Sequence, residues 1–133
     1  MFKSKSALAA LVLVLASPFF SASPIQAQSQ PAATQQVPLI EPAQVRGLVA
    51  IGAKITIVDV RTPEEYSQGH IEGALLMPLD NLASTYSSLP KKGKLIVYCR
   101  SGHRSAQAVQ LLLSHGYNNA VSMNGGYLAW TQH

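Results

Sequence analysis

The sequence predicts an α/β domain with a largely parallel central sheet flanked by helices, and three observations carry that prediction. Strand-like and helix-like stretches alternate from about residue 41 onward, the order expected when crossover helices join the strands of one sheet. The run Ile55-Thr56-Ile57-Val58-Asp59-Val60 is almost wholly β-branched, as in a strand covered on both faces. A second apolar run, Leu95-Ile96-Val97-Tyr98, ends at the single cysteine, Cys99, and a short polar loop then leads into apolar residues at helical spacing.

Element by element, Glu41 or Pro42 opens a helix in which Val45, Leu48, Val49 and Ile51 follow helical spacing and Gly52 is the stop. The strand over 55–60 comes next. In Thr62-Pro63-Glu64-Glu65 the threonine supplies a cap, the proline is pre-set for the first helical position, and the glutamate three residues on completes a capping box. This short helix ends near Gln68-Gly69. Residues 73–78 are consistent with a brief strand, and Leu79 through Leu89 with a helical stretch interrupted by serines. Lys94 to Tyr98 forms another strand. Ala106, Val109 and Leu113, with Ala108 and Leu112 beside them, predict a helix that ends at Gly116, and Ala120-Val121-Ser122-Met123 is the last strand. No internal repeat is visible, so a single module is expected.

Ahead of this domain, Lys3 and Lys5 precede an apolar stretch from Ala7 to Ala16, after which the chain turns to Ser, Pro and Ala. That organisation is a secretory signal peptide over residues 1–27. A membrane-spanning helix needs about 20 apolar residues, and Ser17 and Pro18 interrupt the run well before that. Cleavage is expected after Ala27, although Ile25 is larger than the residue preferred two places earlier. Residues 28–36, rich in Gln, Ala and Ser, read as a disordered leader, and residues 37–133 as the folded domain. The protein is therefore expected to be exported, and periplasmic if its source is a Gram-negative bacterium.

Removing residues 1–27 takes away two of the ten Lys and Arg. The remaining 106 residues carry eight basic against six acidic side chains, or +2 with histidines neutral. This length supports one domain with a real core. The positive charge is scattered apart from Lys91, Lys92 and Lys94 at a turn, so neither a nucleic-acid patch nor a membrane surface is expected, and the mature chain is read as a monomer. A lone cysteine cannot close an internal disulfide. In an exported protein it is also open to oxidation, which favours a chemical use over a packing one.

Cys99 stands directly before Arg100, Ser101, Gly102, His103 and Arg104. Free cysteine is usually a small buried hydrophobe, but packing gives no reason to place two arginines, a histidine, a serine and a glycine after a buried strand. At a strand–loop–helix junction the free N–H groups and the positive end of the helix dipole favour an anion, and they favour thiolate over thiol. Asp59 and Arg61, at the carboxyl end of another strand, read first as an ion pair or loop tie, since charges at such a rim are normally paired. His70 reads as a hydrogen-bonded structural residue. No metal-ligand spacing and no phosphate-binding glycine signature is present, so no cofactor is expected.

The segment Cys99-Arg100-Ser101-Gly102-His103-Arg104 resembles the active-site loop of the rhodanese sulfurtransferases, in which a cysteine opens a six-residue loop closed by arginine. Asp59-Val60-Arg61 followed by Pro63-Glu64-Glu65-Tyr66 and Gly69-His70-Ile71-Glu72-Gly73-Ala74 resembles a segment near the start of the same domain. Met123-Asn124-Gly125-Gly126 with Trp130 resembles its final strand and closing helix. The similarity spans roughly residues 37 to 131.

The resemblance implies a rhodanese fold and sulfur transfer, with Cys99 as the catalytic residue and Arg100, Ser101, Gly102, His103 and Arg104 as the substrate-binding loop. A Cys99 thiolate would take the outer sulfur of thiosulfate, release sulfite, and pass the sulfur from its persulfide to cyanide or a thiol. Cysteine-dependent phosphatases, the rhodanese-like cell-cycle phosphatases among them, place five residues between cysteine and arginine; here four intervene, which favours sulfur transfer over phosphate or arsenate chemistry. Ser101 either contributes a hydroxyl or fits the turn, and Gly102 permits a backbone conformation closed to other residues. His103 is open between a variable position and a donor that aids substrate affinity. A second reading is a persulfide carrier or sensor loaded by a protein partner.

Overall fold

Residues 36–132 are described by the computed structural model, and five parallel strands run through them. They are β1 (Leu39–Ile40), β2 (Ile55–Asp59), β3 (Leu75–Leu76), β4 (Lys94–Tyr98) and β5 (Ala120–Met123), in the order β1-β5-β4-β2-β3. The connecting helices are α1 (Pro42–Ala50), α2 (Pro63–Gln68), α3 (Leu79–Thr85), α4 (His103–Ser114) and α5 (Gly126–Trp130). This is the α/β class with a parallel sheet that the alternating pattern predicts. The expected signal peptide over 1–27 and all but the last residue of the expected leader lie outside the described residues.

Alternation along the central strand divides the core in two. Leu95, Val97 and Cys99 of the β4 run face a cluster with Val58, Val60, Leu82, Ala108, Val109 and Leu112, which is the α3 and α4 side. Ile96 and Tyr98 face the other side with Ile40, Val45, Ile57, Ile71 and Met123, against which Tyr66, Tyr127 and Trp130 of α2 and α5 pack. Because Asp59 and Tyr98 are register partners in β2 and β4, they share the second face. Cys99 points to the first.

The structure departs from the expected elements in four places. β1 carries no periodic signal, being two residues long; it forms because β5 offers a free edge, where Ser122 N–H donates to Pro38 O at 2.8 Å and Asn124 N–H to Ile40 O at 2.8 Å. The brief strand expected over 73–78 pairs only at Leu75 and Leu76, opposite Val58 and Asp59. The helical stretch from Leu79 breaks into a 3₁₀ turn at Tyr86–Ser88. Most consequentially, α4 begins at His103, so His103 and Arg104 belong to its first turn and the loop proper is only Arg100, Ser101 and Gly102.

Candidate active site

β4 delivers Cys99 to the carboxyl end of the sheet, where open α/β sheets bind ligands. Its side chain is 1% exposed, and its sulfur sits under the turn into α4. Gly102 N–H donates to Cys99 Sγ at 3.0 Å. Gly102 holds φ at +114° as the residue preceding α4, a left-handed conformation that a side chain disfavours, and that conformation aims its N–H back at the sulfur. The thiol reaches Ser105 Oγ at 3.6 Å; once the sulfur is ionised, the Ser105 hydroxyl becomes the donor.

Ser105 is held in turn by Ser122, the two hydroxyl oxygens lying 2.7 Å apart, and Ser105 also donates to Gly102 O at 3.2 Å. Both serines are buried. Burial pushes the Cys99 thiol up, but the Ser105 hydroxyl and the N–H groups of Ser105, Gly102 and Ser101 outweigh it, so the thiol lies below its ordinary value. The first N–H groups of α4 have no intrahelical acceptor. The thiolate and the entrance above it therefore face donors and the positive end of a twelve-residue helix.

Arg100 and Ser101 are exposed on the loop, and His103 is exposed at the first position of α4. Arg104 pairs with a carboxylate on α2. Its Nη1 and Nη2 donate to Glu65 Oε2 and Oε1 at 2.7 and 2.9 Å, tying α4 to α2. Glu65 also accepts from Thr62 N–H and Oγ1, each at 3.1 Å, which completes the capping box expected from Thr62-Pro63-Glu64-Glu65. Arg104 first and then Thr62 hold the Glu65 carboxyl down at about 2, against an opposing contribution from its burial.

Asp59 and Arg61 form the ion pair expected of them, fully buried. Arg61 Nε donates to Asp59 Oδ1 at 2.9 Å, and Nη2 donates to Oδ2 at 2.6 Å and to Gly69 O at 2.7 Å. Tyr98 donates its hydroxyl to Asp59 Oδ2 at 2.7 Å and accepts from Ile71 N–H at 3.0 Å; burial pushes that hydroxyl up, so it remains a donor. This network braces the rim from the face opposite Cys99. His70, as expected, is structural: its Nδ1 lies 2.9 Å from Tyr66 O and its ring stacks on Tyr66 at 3.7 Å.

The closing segment touches the loop through the backbone. Tyr127 N–H donates to Cys99 O at 2.7 Å and Leu128 N–H to Arg100 O at 3.0 Å. Gly126 permits this approach, since a Cβ there would stand 2.5–2.6 Å from the carbonyl groups of Arg100 and Cys99. Sequence reasoning did not single out Ser105, Ser122, Glu65 or Gly126 as parts of the site. Ser105 had a signal, because it stands three, four and seven residues before Ala108, Val109 and Leu112 and so heads the buried stripe of α4. Ser122, a polar residue in an apolar strand, had one too. Glu65 was legible only as a cap.

An α/β domain that presents a cysteine between a strand end and a helix N-terminus, with amide and hydroxyl partners on its sulfur, has a cysteine-centred site built to stabilise a thiolate. The description "Rhodanese-like domain" matches residues 41–133, and the chain belongs to this single-domain family of rhodanese-like sulfurtransferases, which act on a sulfur donor and an acceptor. It is 40% identical over 79 residues to a sulfurtransferase of Allochromatium vinosum, covering 59% of this chain and 74% of that one. It is 33% identical over 91 residues to the thiosulfate sulfurtransferase GlpE of Pseudomonas entomophila, covering 68% and 82%. The human single-domain sulfurtransferase TSTD1 superposes with a TM-score of 0.64 at 30% identity, over 71% of this chain and 96% of that one. Some relatives are longer: the chain spans 24% of a probable adenylyltransferase/sulfurtransferase of Mycobacterium tuberculosis.

Proposed function

We propose that the protein is an exported, monomeric thiosulfate sulfurtransferase that works through a persulfide on Cys99. The observation that carries this reading is the sulfur of Cys99 under the Gly102 N–H and the Ser105 hydroxyl, in a loop with four residues before Arg104. The Cys99 thiolate attacks the outer sulfur of thiosulfate; a new S–S bond forms, the old one breaks, and sulfite leaves with the electron pair. Arg100, Ser101, Gly102, His103 and Arg104 form the substrate loop, their N–H groups and the α4 dipole stabilising the sulfonate oxygens. Cyanide or a thiolate then attacks the outer persulfide sulfur, and the Cys99 thiolate departs as the leaving group. Sulfite and the Cys99 thiolate are stable anions, so neither step needs a general acid.

Mass spectrometry of the purified protein tests the reading. Thiosulfate should add the mass of one sulfur at Cys99, and cyanide should remove it with release of thiocyanate. Failure of Cys99 to gain sulfur from thiosulfate would overturn it. The engagement of Arg104 by Glu65 favours a second reading, a persulfide carrier loaded by a protein partner, because it leaves less positive charge at the loop for a small dianion. Export is tested separately by N-terminal sequencing of the mature protein, expected to begin just after Ala27.

A further inference from the structure

We infer that Glu65 sets the charge selectivity of the sulfur-donor site: by pairing with the Arg104 guanidinium and cancelling its charge, it favours donors with one negative charge over small dianions. The inference rests on the sulfur-transfer reading of the Cys99 loop. Three arginines surround that loop, and two are neutralised in place. Arg61 is buried against Asp59. Arg104 spends both Nη groups on the two carboxylate oxygens of Glu65, the fork-to-fork geometry in which guanidinium and carboxylate bind most specifically.

Glu65 is not a loose surface partner. The Thr62 N–H and hydroxyl hold its carboxylate from the other side, and Glu65 N–H returns a bond to Thr62 Oγ1 at 3.2 Å. The carboxylate is thus held from two sides, by the start of α2 and by Arg104. It also faces the site. A cleft of about 220 Å³ beside the loop is lined by Arg61, Glu65, Gln68, Gly69, Arg100 and Tyr127, among others. Among the described residues, Arg100 enters no ion pair, so a donor entering that cleft meets one uncompensated guanidinium beside the neutral Glu65–Arg104 pair.

Coulomb energy scales with the charge of the donor, so cancelling the Arg104 charge removes twice as much attraction from a dianion as from a monoanion. Thiosulfate and an alkyl thiosulfonate offer the same sulfane sulfur with a difference of one charge. Glu65→Gln removes the charge while keeping the helix start, because glutamine also satisfies the third position of a capping box. Glu64→Gln makes the same charge change one residue away, on an exposed side chain that does not touch Arg104.

The decisive measurement is KM for both donors in wild type, Glu65→Gln and Glu64→Gln. At low ionic strength, Glu65→Gln should lower KM for thiosulfate roughly fourfold and for methanethiosulfonate roughly twofold, with both gains shrinking in high salt; Glu64→Gln should give clearly smaller changes. A higher thiosulfate KM in Glu65→Gln, or equal shifts for the two donors, would overturn the inference and make Glu65 a plain brace. If wild type takes sulfur from neither donor, the sulfur-transfer reading fails on its own. Glu65 is then judged by sulfate protection of Cys99 from iodoacetamide: Glu65→Gln should need roughly fourfold less sulfate, and an equal or greater requirement would sink the inference.

Discussion

The hydroxyl oxygen of Ser105 lies 3.6 Å from the sulfur of Cys99, with the Ser122 hydroxyl 2.7 Å behind it. Ser105 comes from the first turn of α4 and Ser122 from β5, so the contact exists only because helix and strand pack together. Ser105→Ala removes a donor to the thiolate and should raise the Cys99 midpoint, measured as alkylation rate against pH, by up to about one unit, the equivalent of a hydrogen bond worth about 1.4 kcal/mol. It also strands the buried Ser122 hydroxyl. Adding Ser122→Ala should therefore recover stability without recovering the midpoint. An unchanged midpoint in Ser105→Ala would show that the amide groups alone hold the thiolate.

The lowered Cys99 thiol has a direct kinetic consequence. Wild-type alkylation and sulfur uptake should both reach their plateau at lower pH than a free cysteine, whose value is about 8.5. Cys99→Ser keeps the size of the side chain but cannot form a persulfide. It should retain the thermal midpoint within a few degrees and lose sulfur transfer completely, and wild type should show negligible hydrolysis of a small aryl phosphate. Sulfur transfer by the serine variant would refute the mechanism.

Gly126 packs directly against the backbone of the loop. An alanine there must adopt φ near +62° and place its Cβ 2.6 Å from Cys99 O, so Gly126→Ala should cost at least about 2 kcal/mol. Denaturant titration reads this directly. Because Tyr127 and Leu128 N–H bond the carbonyls of Cys99 and Arg100, sulfur transfer should fall along with stability. A fully stable and active alanine variant would mean that α5 does not seat the loop as described.

Acid should weaken the α2–α4 tie. The folded-state value of Glu65 lies near 2, below its ordinary 4.5, so its stabilising contribution is complete above about 4.5 and disappears as the pH falls through that window toward 2. Denaturant midpoints between pH 5 and pH 2.5 should fall less steeply in Glu65→Gln than in wild type. Parallel curves would show that the pair adds nothing to stability.

The parallel α/β sheet was legible in the sequence because near-continuous β-branched runs and helical spacing are local patterns, and the shortness and β-branched content of the runs mark them as strands. The α2 cap was legible for the same reason: Thr62, Pro63 and Glu65 act within one helical turn. Cys99 at the end of β4, the helix behind it and the Asp59–Arg61 pair also followed from residues near one another in the chain. What only the tertiary structure decided involves partners far apart in sequence. Glu65 lies 39 residues from Arg104, and no local pattern reports that their side chains meet, although that meeting determines whether Arg104 is free to reach an anion. Ser122 reaches Ser105 because β5 packs beside β4, and β1 exists because β5 needs a neighbour. Periodicity records which face of an element is buried; it does not record what that face is buried against.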